Sequence, residues 1–175
     1  DVCRAVKFAR RMRPADKLIL AGDSAGAFLA LTADAAAKCP EVREAFGLTE
    51  RDVGCPADGL LLISGMYCFR KSGVRALAGV PVGKGGYMKY TYMPALLDVY
   101  SPPPVFMTSS EGDFLRRASL RADALLTERG VPHEFDYKGK SADGQKYVHV
   151  YPVRDPEWHE SRELLARSMA YLTKM

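Results

Sequence analysis

The pentapeptide Gly22-Asp23-Ser24-Ala25-Gly26 sets a hydroxyl between two glycines, directly after the apolar run Leu18-Ile19-Leu20 and before an Ala- and Leu-rich stretch. A strand that enters such a turn and leaves it as a helix must bend sharply, and flanking glycines allow this because they carry no Cβ to clash with strand or helix. A serine at the apex stands clear of the backbone at the carboxyl end of the strand. The N–H of the next residue, Ala25, faces the same space and can bind an oxyanion, with help from the dipole of the helix it opens. The chemistry on offer is nucleophilic attack by Ser24. G-x-S-x-G is common by chance, and a tight turn with an incidental serine is the plain alternative; the expected strand before it and helix after it favour the nucleophile.

A serine hydroxyl is a weak nucleophile at its ordinary pKa and needs a base, commonly a histidine oriented by a carboxylate. Three histidines are available. His159 stands beside Trp158 and Glu160 in an expected helix and reads as a surface or packing residue. His133 immediately precedes an expected strand, which places it at the end of the sheet opposite the elbow. His149 follows that strand after a loop and precedes the last helix, so it reaches the face on which Ser24 sits. In chains of this pattern the acid falls between serine and histidine. The stretch Thr108-Ser109-Ser110-Glu111-Gly112-Asp113 offers Glu111, nearer the strand, and Asp113, after a glycine at the loop apex. Asp98, in an irregular region, is a weaker third candidate. Asp113 can also cap the helix that follows, and the two roles are compatible.

The elements that must carry these residues follow from the apolar spacing. A helix with one buried face is expected over 1–12, stopped by Pro14 and Asp16. A strand is expected from Lys17 to Ala21, then a helix from Ala25 to Lys38 rich in strong helix formers. Residues 39–58 read as a polar connector with a short helix near 41–46. The continuous run Gly59-Leu60-Leu61-Leu62-Ile63-Ser64 fits a parallel strand covered on both faces. Residues 65–103 are irregular, with short helices expected at 72–79 and 93–99 and a tyrosine group at 87, 90, 92 and 100; they read as an insertion over the site. A strand at Val105–Thr108, a helix at 115–130 ended by Gly130 and Pro132, a strand at Glu134–Lys138, a loop at 139–155 and a closing helix at Glu157–Lys174 complete the chain. Leu164, Leu165, Met169 and Leu172 are the expected inner side of that last helix. The alternation predicts an α/β domain of about four parallel strands flanked by helices.

The chain has 175 residues, 25 of them Lys or Arg and 21 Asp or Glu, for a formal net charge of +4. Its length and its 47% hydrophobic content suit one globular domain with a real core. The densest basic cluster, Arg10-Arg11-Met12-Arg13, sits at an expected helix end, where positive charge suits the dipole; no nucleic-acid partner is implied. The four cysteines show no CxxC pair and no histidine at metal-ligand spacing. Cys3 and Cys68 read as small core residues. Cys39 and Cys55 could pair in an oxidising compartment, but free thiols in a reducing one, hence a weak preference for the cytoplasm, are expected. No apolar run is long enough to span a membrane.

On these residues the sequence resembles the hormone-sensitive-lipase-like esterases of the α/β-hydrolase superfamily, whose elbow is similar to Gly22-Asp23-Ser24-Ala25-Gly26. The segment from Pro103-Pro104-Val105-Phe106 to Gly112-Asp113-Phe114-Leu115 resembles the family's acid-bearing segment. Tyr147-Val148-His149-Val150, with Pro156-Glu157-Trp158 and Ser161-Arg162-Glu163, resembles the histidine segment and closing helix of bacterial acetyl-esterase-like members. The resemblance implies Ser24 as nucleophile, Asp113 as acid and His149 as base. It implies a small ester substrate with a short acyl chain, and neither metal nor organic cofactor.

One departure is large. The family's His-Gly-Gly motif, whose N–H groups complete the oxyanion hole, is missing, and only one helix precedes the elbow strand, as in the carboxyl-terminal half of the fold. The Lys17–Ala21 strand would then be an apolar edge. The expected partner is a companion amino-terminal fragment, further polypeptide outside this chain, or a second copy pairing through that edge. Alone, the chain is expected to be weakly active or inactive, since one lost oxyanion donor costs ~10²–10³ in rate. Amide or peptide hydrolysis by the same triad, or a non-catalytic binding protein on this scaffold, are the rival expectations.

Overall fold

A computed structural model describes residues 1–67, 86–140, 144 and 146–174. The helix expected at 72–79, and Cys68, lie outside the described residues.

The strands form where the apolar runs are. β1 (Ile19–Asp23), β2 (Gly59–Ile63), β3 (Val105–Ser110) and β4 (His133–Lys138) lie side by side in chain order, all parallel. β2 and β3 are buried along their whole length. Side chains alternate across a strand, so each strand feeds both faces. Leu60, Leu62, Val105 and Met107 join one apolar cluster, while Leu61, Ile63 and Phe106 join the other.

Helices cover the two faces separately. Over the first lie α2 (Ala25–Lys38), α3 (Pro40–Ala45), α4 (Met93–Leu97) and α5 (Arg116–Glu128), contributing Leu31, Val42, Leu96 and Leu126 among others. Over the second lie α6 (Tyr151–Arg154) and α7 (His159–Lys174), contributing Tyr151, Leu164 and Leu172. α1 (Val2–Met12) packs against α2 and buries Val6. Its Arg10 is drawn into the turn that follows, donating to Cys55 Sγ at 2.9 Å, the Asp16 carbonyl at 2.6 Å and Asp58 at 3.3 Å.

Several boundaries differ from the sequence expectation. β1 starts and ends two residues later, because Gly22 and Asp23 remain in the ladder opposite Leu62 and Ile63. The loop expected at 139–155 holds the one-turn helix α6, and the closing helix starts at His159. The inner side of α7 is Ser161, Leu164, Ser168 and Leu172, whereas Met169 is 47% exposed. The 93–99 helix is shorter, α4 alone, and follows a 3₁₀ turn at Gly86–Thr91. Cys3, Cys39 and Cys55 are free thiols, and burial pushes the Cys3 thiol up.

One polar cluster locks the helix layer. The Asp34 side chain on α2 is fully buried; its Oδ1 accepts the Ala57 N–H at 2.6 Å, and its Oδ2 accepts the Tyr100 hydroxyl and lies 3.0 Å from Lys38 Nζ. Burial, followed by the Asp34 charge, raises the Tyr100 phenol and keeps it a donor. No described helix is long and apolar enough to cross a membrane.

Candidate active site

Ser24 sits between β1 and α2 with φ 52° and ψ −116°. That is strained backbone for a residue with a side chain, at a cost on the order of 1–3 kcal/mol, and must be held by its surroundings. Two backbone hydrogen bonds hold it: Ser24 N–H donates to the Ile63 carbonyl at 2.9 Å, and the Ser24 carbonyl accepts from Met66 N–H at 3.1 Å. The turn is tight on one side only. A Cβ on Gly22 would lie 2.2 Å from the Gly26 carbonyl oxygen, whereas one on Gly26 would meet nothing closer than Asp23 Oδ1 at 3.9 Å. The expectation that both glycines avoid a clash therefore applies to Gly22; among the described residues, Gly26 has room. Ala25 is exposed and opens α2, so its N–H has no acceptor within the helix.

Asp113 follows β3 and His149 follows β4, and their loops are stitched together. Gly112 pairs with Val148 in a parallel bridge, and Ser110 Oγ donates to the Tyr147 carbonyl at 2.6 Å. A Cβ on Gly112 would lie 2.6 Å from that carbonyl oxygen, so glycine is what lets the two loops meet. His149 Nδ1 lies 2.8 Å from Asp113 Oδ1. The same oxygen accepts Leu115 N–H at 2.8 Å, and Oδ2 accepts the Ser109 hydroxyl at 2.9 Å. The Asp113 side chain has no exposure, while that of His149 retains 19%. Burial works to raise the Asp113 carboxyl, but hydrogen bonds from Ser64, Leu115 N–H, His149 and Ser109 outweigh it and hold the group below its usual range. The bond to Leu115 is a local turn; α5 begins at Arg116, and Asp113 is not its cap residue.

The other candidates have different partners. Glu111 accepts the Tyr137 hydroxyl at 2.6 Å and pairs with Arg116 at 2.6 Å. Asp98 pairs with Arg129 at 2.7 Å. His133 begins β4, at the far end of the sheet, between the Val131 carbonyl and Asp123. His159 is exposed at the start of α7. The structure thus joins Asp113 to His149 and brings the Ser24 elbow to the same end of the sheet. Among the described residues no hydrogen bond links Ser24 to His149.

Sequence reasoning missed three neighbours. Ser109 donates to the Asp113 carboxylate. The Phe114 ring packs against His149 at a tilt of 44°, with centroids 4.2 Å apart, yet is 76% exposed. Its signal was an apolar residue directly after Asp113 in a loop. Ser64, at the carboxyl end of β2, is almost fully buried and has φ 50°. A serine ending an apolar strand carries no periodic signal.

Parallel strands in chain order between two helix layers, with a strained serine between strand and helix, define the class: the fold is that of part of an α/β-hydrolase. Esterase B from Lactobacillus rhamnosis, in a structure with an inhibitor bound, is similar to this chain with a TM-score of 0.80 and 19% identity over 99% of this chain and 60% of its own. Esterase LipW from Mycobacterium marinum is similar with a TM-score of 0.60 and 21% identity, over 99% of this chain and 56% of its own. EstE5, in a crystal soaked with p-nitrophenyl butyrate, gives 0.60 and 20%, over 95% and 57%. The chain therefore spans about 60% of the length of esterase B. No family model and no curated protein matches the sequence.

Proposed function

We propose that this protein is a serine carboxylic-ester hydrolase acting on short-chain acyl esters. The observation that carries the reading is the Asp113–His149 hydrogen bond of 2.8 Å at the end of the sheet where the Ser24 elbow lies. Ser24 Oγ attacks the ester carbonyl while His149 Nε2 takes its proton. Asp113 holds Nδ1 and stabilises the imidazolium. The Ala25 N–H binds the tetrahedral oxyanion. His149 returns the proton to the leaving alcohol, and water then releases the acid by the same route. No metal or organic cofactor enters this sequence of steps.

In this reading a second oxyanion donor comes from polypeptide docked along β1. Among the described residues β1 pairs only with β2, and an apolar groove lined by Val6, Ala9, Leu20 and Leu29 runs beside it. The remaining length of the similar esterases supports such an addition. A companion fragment, more of the same polypeptide or a second copy would each supply a strand.

A fluorophosphonate probe tests the reading. The expected result is a single adduct at Ser24, located by mass spectrometry and absent in Ser24→Ala. p-Nitrophenyl acetate should be turned over faster than aminoacyl anilides. Faster anilide turnover would mark an amide hydrolase, and no adduct in the assembled protein would mark a non-catalytic binding scaffold.

A further inference from the structure

Among the described residues, the non-glycine residues with positive φ are Ser24, Ser64 and Val150, at 52°, 50° and 52°. Strained backbone collects where surroundings over-determine a geometry. One of the three is the elbow serine, one immediately follows His149, and one closes β2 between them. The last is bonded to Val150 and lies between the two residues whose backbone holds Ser24. Its neighbours Ile63 and Met66 make the two backbone bonds that hold Ser24, at 2.9 and 3.1 Å. Its own N–H donates to the Thr108 carbonyl at 2.8 Å, fastening it to the strand that leads to Asp113. Its Oγ accepts the Val150 N–H at 3.2 Å.

The hydroxyl proton also needs a partner. Ser64 is 1% exposed, and a buried O–H whose oxygen is already used as an acceptor must donate elsewhere. A Ser64 hydrogen bond is among the influences that hold the Asp113 carboxyl below its usual range, so we infer that this carboxylate is the acceptor of the proton.

We propose that Ser64 is a positioning residue for the hydrolytic site: its hydroxyl ties the backbone behind the base to the acid, while its flanking backbone fixes the nucleophile. The proposal rests on the triad reading given above. Ser64 touches no substrate and acts through Asp113, His149 and Ser24.

Ser64→Gly is the informative variant, since glycine adopts φ 50° freely and only the hydroxyl and Cβ are lost. Ser64→Ala, which keeps the Cβ, is the second. Four quantities are measured: the rate of fluorophosphonate labelling at Ser24, the ¹³C titration of the Asp113 carboxyl, hydrogen exchange of the Val150 amide, and the denaturant midpoint. Labelling is expected to slow on the order of 10- to 100-fold, as a small misplacement of reacting groups does. The Asp113 titration is expected to move up, and the Val150 amide to exchange faster, while Ser64→Gly unfolds near the wild-type midpoint. A purely structural serine would shift the midpoint and leave the titration alone. Wild-type labelling by folded Ser64→Gly overturns the proposal. If wild-type Ser24 takes no label, the triad reading fails, and the Asp113 titration alone decides whether Ser64 holds the acid: a rise supports it and no change overturns it.

Discussion

His149 Nδ1 and the Leu115 N–H converge on a single oxygen of Asp113, each at 2.8 Å. With its other oxygen taken by Ser109 at 2.9 Å, the carboxylate has little freedom to rotate, and the imidazole plane is set by the acid's own loop. Nδ1 is thereby committed to Asp113, which leaves Nε2 as the nitrogen available to a hydroxyl.

Asp113→Asn should keep the shape of this contact and reverse its hydrogen-bonding sense. An amide can stabilise the wrong imidazole tautomer and cannot stabilise the imidazolium. Turnover of p-nitrophenyl acetate is expected to fall by roughly 10⁴ with little change in KM, as in Ser-His-Asp sites generally. A loss below about tenfold would show that Asp113 does not orient the base.

The same carboxylate sets a pH dependence of stability. Its folded pKa is held below the ordinary 3.8, so the unfolded chain takes up the proton first as acid is added. The stabilisation is complete above about pH 4 and disappears as pH falls through the folded value. Urea unfolding at pH 7 and near pH 3 should show the gap between wild type and Asp113→Asn narrowing in acid. A gap independent of pH would contradict this.

The two elbow glycines should behave differently on substitution. In Gly22→Ala a methyl would lie 2.2 Å from the Gly26 carbonyl oxygen, and the turn must open. Loss of Ser24 labelling and a lower melting temperature are expected. Gly26→Ala meets only Asp23 at 3.9 Å and should fold and label as wild type. Equal damage from both would mean that something beyond the described residues packs on Gly26.

Asp34 is a structural carboxylate. Asp34→Ala leaves the buried Ala57 N–H and Tyr100 hydroxyl without their acceptor and Lys38 without its partner. The expected loss is about 3–5 kcal/mol in chemical denaturation, the range for breaking a buried charged contact. Fluorophosphonate labelling of the fraction still folded should be unaffected, since this cluster does not touch the triad residues.

The sheet was readable in sequence because interior parallel strands are buried on both faces and appear as unbroken apolar runs, as Leu60–Ile63 does. β1 was displaced by two residues because Gly22 and Asp23 have turn chemistry yet still pair in the ladder. α6 was invisible because one helical turn containing Pro152 has no period to detect. Ser24, Asp113 and His149 could be placed at one end of the sheet because each follows a parallel strand, and the structure adds the 2.8 Å contact between Asp113 and His149. Ser64 and Ser109 could not be singled out, because a serine's value depends on which groups the fold brings within 3 Å of it, and spacing along the chain does not carry that information.

The spatial order β1-β2-β3-β4 repeats the order of synthesis. Each helix–strand unit can dock on the edge left by the one before, and no strand has to be inserted between two others already paired. The residues of the candidate site keep the same order along the chain: Ser24 after β1, Ser64 after β2, Asp113 after β3 and His149 after β4. The bridge from Gly112 to Val148 that ties the last two loops together therefore needs a stretch of chain made after all four strands.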